Sequence, residues 1–82
     1  MITNDTVKSI HNISDFLNFI KLLEKDFAVN NEQWENVTID QYFNAIHACI
    51  EDNLYHGSVF ENESEIKWSE MAQVFWMGKY YE

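Results

Sequence analysis

The sequence predicts an all-α fold: a small antiparallel bundle of three main helices, at about 14–29, 38–55 and 66–80, after a short N-terminal element. Apolar residues recur at intervals of three and four in three separate segments, which is the spacing of one helix face. The chain contains no proline, so nothing interrupts these helices. No segment alternates apolar and polar residues for long enough to build a sheet. At 82 residues, the chain is expected to form one domain over 1–82.

The first thirteen residues are polar apart from a few aliphatic positions. Val7, Ile10 and Ile13 are spaced by three, which suits either a short helical turn or an extended arm laid on the core. The segment Ser58-Val59-Phe60 could pair with such an arm as a minor β element. The sequence leaves these alternatives open.

The first main helix is expected to begin with Ser14 or Asp15 as its N-cap and to end near Asn30-Asn31. Its apolar residues fall on one face at intervals of three and four. They are Phe16, Phe19, Ile20, Leu23 and Phe27.

The second main helix has the clearest start signal in the chain. Thr38 and Gln41 match a capping box, and Val37 is placed to pack on Tyr42 as a hydrophobic staple, while Trp34 anchors the connector before them. Gly57 is a suitable end. The expected buried face consists of Ile39, Tyr42, Phe43, Ile46, Cys49 or Ile50, and Leu54.

The last helix is apolar over much of its circumference. One face carries Trp68, Met71, Ala72, Phe75 and Gly78-Lys79, and other apolar residues broaden it. Such a helix is either central in its bundle or covered by a partner. The candidate contacts of a homodimer are therefore Trp76, Met77 and Tyr80.

Charge is the strongest compositional signal. Five Lys and no Arg against fourteen Asp and Glu give a net charge of −9. Nucleic acid and anionic membrane surfaces would repel this chain, so neither is an expected partner. The excess either keeps the protein in solution or steers it onto a basic partner.

The compartment is expected to be the reducing cytoplasm. Cys49 has no second cysteine to pair with, and the chain begins with neither a basic segment nor an apolar run that would mark a secretory signal. No apolar stretch has the roughly 18 residues that a membrane-spanning helix needs.

Catalytic, cofactor and metal sites are not expected, and the chain is not predicted to be an enzyme. His47 and Glu51 are four residues apart, as are Asp52 and His56, but the two pairs lie on adjacent stripes that do not point at one another. Cys49 lies on the apolar stripe, where a buried small hydrophobe is favoured over a nucleophile.

Acidic residues with interleaved aromatic residues lie between the second and last helices, and they favour a binding surface for a basic protein. The candidates are Glu51, Asp52, Tyr55, Phe60, Glu61, Glu63, Glu65 and Glu70. The leading hypothesis is an acidic protein-binding module of the immunity or antitoxin type, which occludes a basic partner such as a toxin nuclease. The alternative is a structural or regulatory homodimer, and a small metal-binding protein is third.

Several segments together resemble a family of small bacterial domains of unknown function. They are Asp15-Phe16 with Phe19, the run Trp34-Glu35-Asn36-Val37-Thr38-Ile39, Glu51-Asp52, Trp68 and the final Tyr81-Glu82. The resemblance covers the chain from about residue 13. This chain lacks a proline before Trp68 and has Cys49-Ile50 where an aromatic residue is usual. The resemblance implies a single-domain bacterial protein and brings no established activity.

Overall fold

A computed structural model describes residues 2–53, 59–62 and 64–81 with their side chains and residues 54–56 as helix backbone. In these residues the chain forms four α-helices: α1 (Asn4–Lys8), α2 (Ile13–Asn30), α3 (Ile39–His56) and α4 (Trp68–Met77). A short 3-10 turn, Asn31–Gln33, follows α2. The described part of the chain holds no strand, so the predicted all-α bundle is confirmed.

The last helix, α4, lies at the centre of the bundle. It contacts α1, α2 and α3, and its residues Ala72 and Val74 are fully buried. Contact on several sides explains why α4 is apolar over so much of its circumference. Packing within its own chain is one of the two explanations that the sequence allowed for this helix, and contact with a second copy stays a prediction.

The N-terminal element is a helix and not an extended arm. The Thr3 hydroxyl accepts a hydrogen bond from the backbone N–H of Thr6 at 3.3 Å, which caps α1. Five residues are too few for a helix to persist alone in water. Packing on α4 holds α1 in place, because Ile2, Val7 and Ile10 are buried in the core.

The second helix, α2, begins one residue earlier than predicted, and its cap differs. Asn12 Oδ1 accepts the backbone N–H of Asp15 at 2.8 Å, so the prediction of Ser14 or Asp15 as the N-cap is wrong. Asp15 instead accepts a hydrogen bond from the backbone N–H of His11 at 3.1 Å. The predicted apolar face does turn inward, and its residues Phe19 and Leu23 are buried.

The capping box of α3 is present as predicted. Thr38 Oγ1 accepts the backbone N–H of Gln41 at 3.3 Å, and Gln41 Oε1 accepts the backbone N–H groups of Thr38 at 3.2 Å and Val37 at 3.1 Å. The side chain of Gln41 therefore satisfies two backbone donors at the helix start, where no carbonyl of the helix can reach them.

The predicted buried face of α3 is partly wrong. Ile39 is 72% exposed and Phe43 is 60% exposed, whereas Ala45, Cys49 and Asn53 are buried. These three residues are four apart and small, so they let α3 approach α4 closely. The sequence prediction took the largest apolar residues of α3 to be buried. The buried face of α3 consists of smaller residues and lies on another side of the helix.

Trp34 anchors the connector between α2 and α3, as its sequence position suggested. Its indole Nε1–H donates to Asp26 Oδ2 at 2.8 Å, and the Lys79 ammonium donates to the same oxygen at 3.1 Å. Asn30 Nδ2 donates to the other carboxylate oxygen at 3.2 Å. This cluster joins α2, the connector and the C-terminal turn.

Asn36, two residues after Trp34, fixes the C-terminal turn. Its Nδ2 donates to the carbonyl oxygens of Gly78 at 2.9 Å and Tyr81 at 3.0 Å. The backbone N–H groups of Glu35 and Asn36 donate to the Lys79 carbonyl at 3.0 and 3.2 Å. Carbonyl groups just beyond the end of α4 thus receive hydrogen bonds from a segment more than forty residues away in sequence. The run of residues 34–36 therefore has an architectural role.

Gly78→Ala is expected to destabilise the protein by about 1–3 kcal/mol, because it overfills the contact between α3 and α4. A Cβ at Gly78 would lie 2.8 Å from Cγ1 of Ile46 and 2.9 Å from Cε1 of Tyr42. The backbone at Gly78 has φ −56°, a conformation that alanine adopts without strain. The clash alone therefore decides whether the substitution lowers or raises the free energy of unfolding. Urea unfolding measures the loss. The double variant with Ile46→Ala should recover part of it, and a stabilised single variant would contradict the clash.

Candidate protein-binding surface

Negative charge is distributed very unevenly along the chain. Residues 26–66 contain nine Asp and Glu and no Lys or Arg, while the remaining residues contain five of each sign. Asp26 is neutralised by its ion pair with Lys79. The Asp26 side chain is only 10% exposed and the Lys79 side chain only 16%. The unbalanced charge therefore comes from the connector, α3 and the loop before α4.

The structure exposes most of the predicted acidic surface. Glu51, Asp52, Glu61 and Glu65 are exposed, and Phe60 is partly buried beside them in sequence. Two further candidates, the side chain of Tyr55 and residue Glu63, lie outside the described part of the structure.

Glu70 does not belong to this exposed set, which corrects its assignment as a partner contact. It is 7% exposed, and its two carboxylate oxygens accept the backbone N–H groups of Lys67 at 2.8 Å and Glu61 at 3.1 Å. One oxygen caps the start of α4 and the other holds the preceding loop. Glu70 therefore positions Glu61 instead of meeting a partner itself.

Two exposed carboxylates are held by neighbouring side chains. Glu61 accepts a hydrogen bond from the Lys67 ammonium at 2.8 Å, and this contact lowers the pKa of Glu61. Asp52 accepts a hydrogen bond from the Tyr81 hydroxyl, which raises the pKa of Tyr81 to about 12. Both carboxylates thus keep a defined position on the surface.

Cys49 occupies the buried position that the sequence predicted. Its side chain is fully buried, burial raises the pKa of its thiol, and Asn53 Nδ2 lies 3.6 Å from its sulfur. Asn53 also joins α3 to the following loop, because its Oδ1 accepts the backbone N–H of Val59 at 3.1 Å. A thiol in these surroundings is protonated and inaccessible, so it is poorly placed for nucleophilic chemistry.

The described residues contain no group of three or more His, Cys, Asp or Glu side chains that could hold a metal ion. His47 and Glu51 are both exposed on α3. Asp52 instead contacts Tyr81, and the side chain of His56 lies outside the described part of the chain.

The candidate dimer contacts lie at the C-terminal end of α4. Trp76 and Met77 are partly buried, and Tyr80 is 44% exposed. The rings of Trp76 and Tyr80 meet edge to face with 6.4 Å between their centroids. Because α4 packs against α1, α2 and α3, its apolar character does not require a second copy of the chain.

One apolar surface was not anticipated from the sequence. Two adjoining depressions, of about 240 and 260 Å³, share Phe27, Trp34 and Tyr42 as lining residues. They lie between α2 and α3. The exposed Ile39 lines one of them, and the exposed Phe43 ring lies 6.4 Å from the ring of Tyr42. We call this surface the α2–α3 groove. The signal that could have revealed it was the row of small residues on α3, which indicates that the large residues face elsewhere.

The fold and this surface define a small all-α domain with an acid-rich exterior and an apolar groove, whose described residues include no helix long and apolar enough to cross a membrane. The chain belongs to DUF7660, a family of unknown function that matches residues 12–82. No curated protein and no solved structure matches the chain. The family match leaves the function to be argued from the surface.

Proposed function

We propose that this protein is an acidic protein-binding module of the immunity or antitoxin type, which occludes a basic partner such as a toxin nuclease. The observation that carries the proposal is the charge distribution: a continuous stretch of 41 residues, 26–66, holds nine acidic residues and no Lys or Arg. The carboxylates at the end of α3 and in the following loop take the place of substrate phosphates against the partner's Lys and Arg.

The held carboxylates support this role. Glu70 fixes the backbone of Glu61, and Tyr81 fixes the carboxylate of Asp52, so both acidic groups are positioned before a partner arrives. Preformed, complementary charge accelerates association and reduces the ordering cost of binding. The module acts in the cytoplasm in this proposal, where the free thiol of Cys49 stays reduced.

Steered association predicts a steep dependence on salt. The partner to test is any basic protein whose gene adjoins the gene of this protein, with titration calorimetry and nuclease inhibition as readouts. Glu51→Gln with Glu65→Gln removes two exposed charges and should weaken binding at least about tenfold at low salt, a factor equivalent to about 1.4 kcal/mol. The difference from the unchanged protein should shrink as salt rises.

The matched control is Asp5→Asn with Asp15→Asn, which removes two charges outside residues 26–66 and retains the hydrogen-bond acceptors. It should change affinity by less than about twofold if position matters more than net charge. Equal losses in the two double variants would contradict a localised binding surface. Binding no tighter than that of unrelated proteins at low salt would sink the proposal.

A further inference from the structure

The α2–α3 groove has apolar walls that are already fixed in place. One depression is lined by Ile20, Leu23 and Phe27 of α2 and by Tyr42 of α3, and Trp34 lies between the two helices in sequence. The Trp34 and Phe27 rings meet edge to face at 5.1 Å, and the Trp34 and Tyr42 centroids are 5.7 Å apart. The groove is thus an aromatic surface built by packing.

Partly buried hydrogen bonds hold these rings. The Tyr42 hydroxyl donates to the Phe75 carbonyl of α4 at 2.6 Å, and burial raises the pKa of Tyr42 to about 12. The Trp34 indole is held by its hydrogen bond to Asp26. A ligand entering the groove therefore meets a preformed wall, which lowers the cost of binding.

Large apolar side chains stand exposed around the groove. Ile39 is 72% exposed, Phe43 60%, Val37 48% and Phe27 37%. Ile39, Val37 and Phe27 line the groove, and the Phe43 ring lies 6.4 Å from the ring of Tyr42. Such a group exposes more apolar surface than scattered single residues do, and such patches mark interaction sites. Covering them would remove from water the exposed parts of two Phe rings and two aliphatic side chains, which favours binding.

The charge at the rim selects the occupant. Glu24 is the one charged residue that lines either depression, and the rim segment from Phe27 to Phe43 carries Glu32, Glu35 and Asp40 but no Lys or Arg. Glu24 contacts Lys21 at 3.3 Å, but both side chains are at least 70% exposed, so a partner cation can replace Lys21 at little cost. A second copy, also with charge −9, would bring like charges together.

One exposed stripe of α3 runs from beside the groove toward the acidic surface, because the Phe43 ring lies 6.4 Å from the ring of Tyr42, which lines the groove. Phe43, His47 and Glu51 are four residues apart on α3, and all three are exposed. Residues at that spacing are neighbours on a helix surface. One partner element lying along α3 can therefore place apolar side chains in the groove and basic side chains against the carboxylates beyond it.

We propose that the α2–α3 groove docks an amphipathic helical segment of the basic partner, which inserts its apolar face between α2 and α3 and directs Lys or Arg toward the acidic rim. Apolar side chains at helical spacing filling a preformed groove are a recurring mode of peptide recognition. The inference rests on the proposed function, because it assigns the anchoring part of the same interface.

The test uses the full chain and two synthetic peptides of about 18 residues with identical Leu and Lys content. One places Leu and Lys on opposite helix faces, and the other has the same residues scrambled. Titration calorimetry at low salt should show the amphipathic peptide binding at least about tenfold tighter. Amide NMR shifts should concentrate at Phe27, Trp34 and Tyr42.

Val37→Gln with Ile39→Gln changes two exposed residues that line the groove and should reduce the affinity for the amphipathic peptide to that for the scrambled one. The matched control is Ile13→Gln with Leu17→Gln, which changes residues of α2 that are 60% and 62% exposed and do not line the groove. The control should bind the amphipathic and the scrambled peptide with affinities within about twofold of those of the unchanged protein. Because all four residues are well exposed, circular dichroism should show that both variants remain folded.

The outcomes separate this inference from the proposed function. Equal affinity for the two peptides, or an equal loss in the groove variant and its control, overturns the docking site. If Glu51→Gln with Glu65→Gln still weakens binding of the basic partner in that case, the proposed electrostatic function stands without the groove. Absence of binding by both peptides at low salt contradicts both proposals.

Discussion

Trp34→Ala is expected to lower the free energy of unfolding by about 3–5 kcal/mol, the largest loss from any single substitution considered for this chain. The indole is 9% exposed and packs against Phe27 and Tyr42. Its removal opens a cavity in the core cluster and takes one of three side-chain donors from Asp26. A domain of this size has a stability of only about 4–12 kcal/mol, so the variant should be close to unfolding.

Urea unfolding followed by circular dichroism measures this loss, with sucrose added if the variant is unfolded in buffer. Trp34→Phe keeps an aromatic ring and removes the Nε1–H donor, so it should cost less, about 2 kcal/mol. Trp68→Ala is the control, because Trp68 is 39% exposed and should also cost less. A change of less than about 1 kcal/mol in Trp34→Ala would show that Trp34 does not anchor the fold.

Asp26→Asn is expected to have the second largest effect, a loss of about 2–3 kcal/mol at pH 7. Asp26 receives hydrogen bonds from Trp34, Lys79 and Asn30. An amide cannot balance the Lys79 ammonium, which is 16% exposed and lies 5.9 Å from the Trp34 ring centroid. The substitution therefore leaves a largely buried cation without its counterion.

The pH dependence of stability gives an independent measurement at Asp26. Partial burial by itself would raise the pKa of this carboxyl, but the hydrogen bonds from Trp34, Lys79 and Asn30 and the charge of Lys79 together lower it below its ordinary value of 3.8. A pKa lowered by folding stabilises the native state above the unfolded pKa. That contribution is lost as pH falls below about 4 through the folded pKa.

The difference in unfolding free energy between the unchanged protein and Asp26→Asn should therefore be constant from about pH 7 to 5 and shrink below about pH 4. Other carboxyl groups titrate in both proteins, so the difference isolates Asp26. Glu24→Gln, at the exposed Lys21–Glu24 pair on the same helix, should leave the unfolding midpoint nearly unchanged throughout. A difference that stayed constant down to pH 2 would show that the charge of Asp26 does not stabilise the fold.

Much of the helical framework could be predicted because its signals are local. The spacing of Phe16, Phe19 and Leu23 marks a helix face, and the Thr38–Gln41 box marks a helix start, whatever packs around them. The start of α2 was misplaced because Asn12, Ser14 and Asp15 all qualify as caps. Only the backbone geometry selects among adjacent capping residues.

The candidate site was less predictable than the fold. Composition located the acidic stretch, but Glu70 looks like its neighbours in the sequence and differs only because its oxygens cap backbone N–H groups. The groove was missed because Ile39 and Phe43 fit the helical pattern of a core face. Periodicity shows that residues share a face and cannot show which neighbouring helix covers that face.

The sequence by itself determined the three main helices, the capping box of α3 and the concentration of acidic residues in the middle of the chain. These depend on contacts or charges close together in the chain. Tertiary structure alone decided that α4 is central, that Gly78 lets α3 approach it, and that a groove with aromatic walls remains open beside α3. The reason is that each of these properties depends on the distance between segments far apart in sequence, which packing sets.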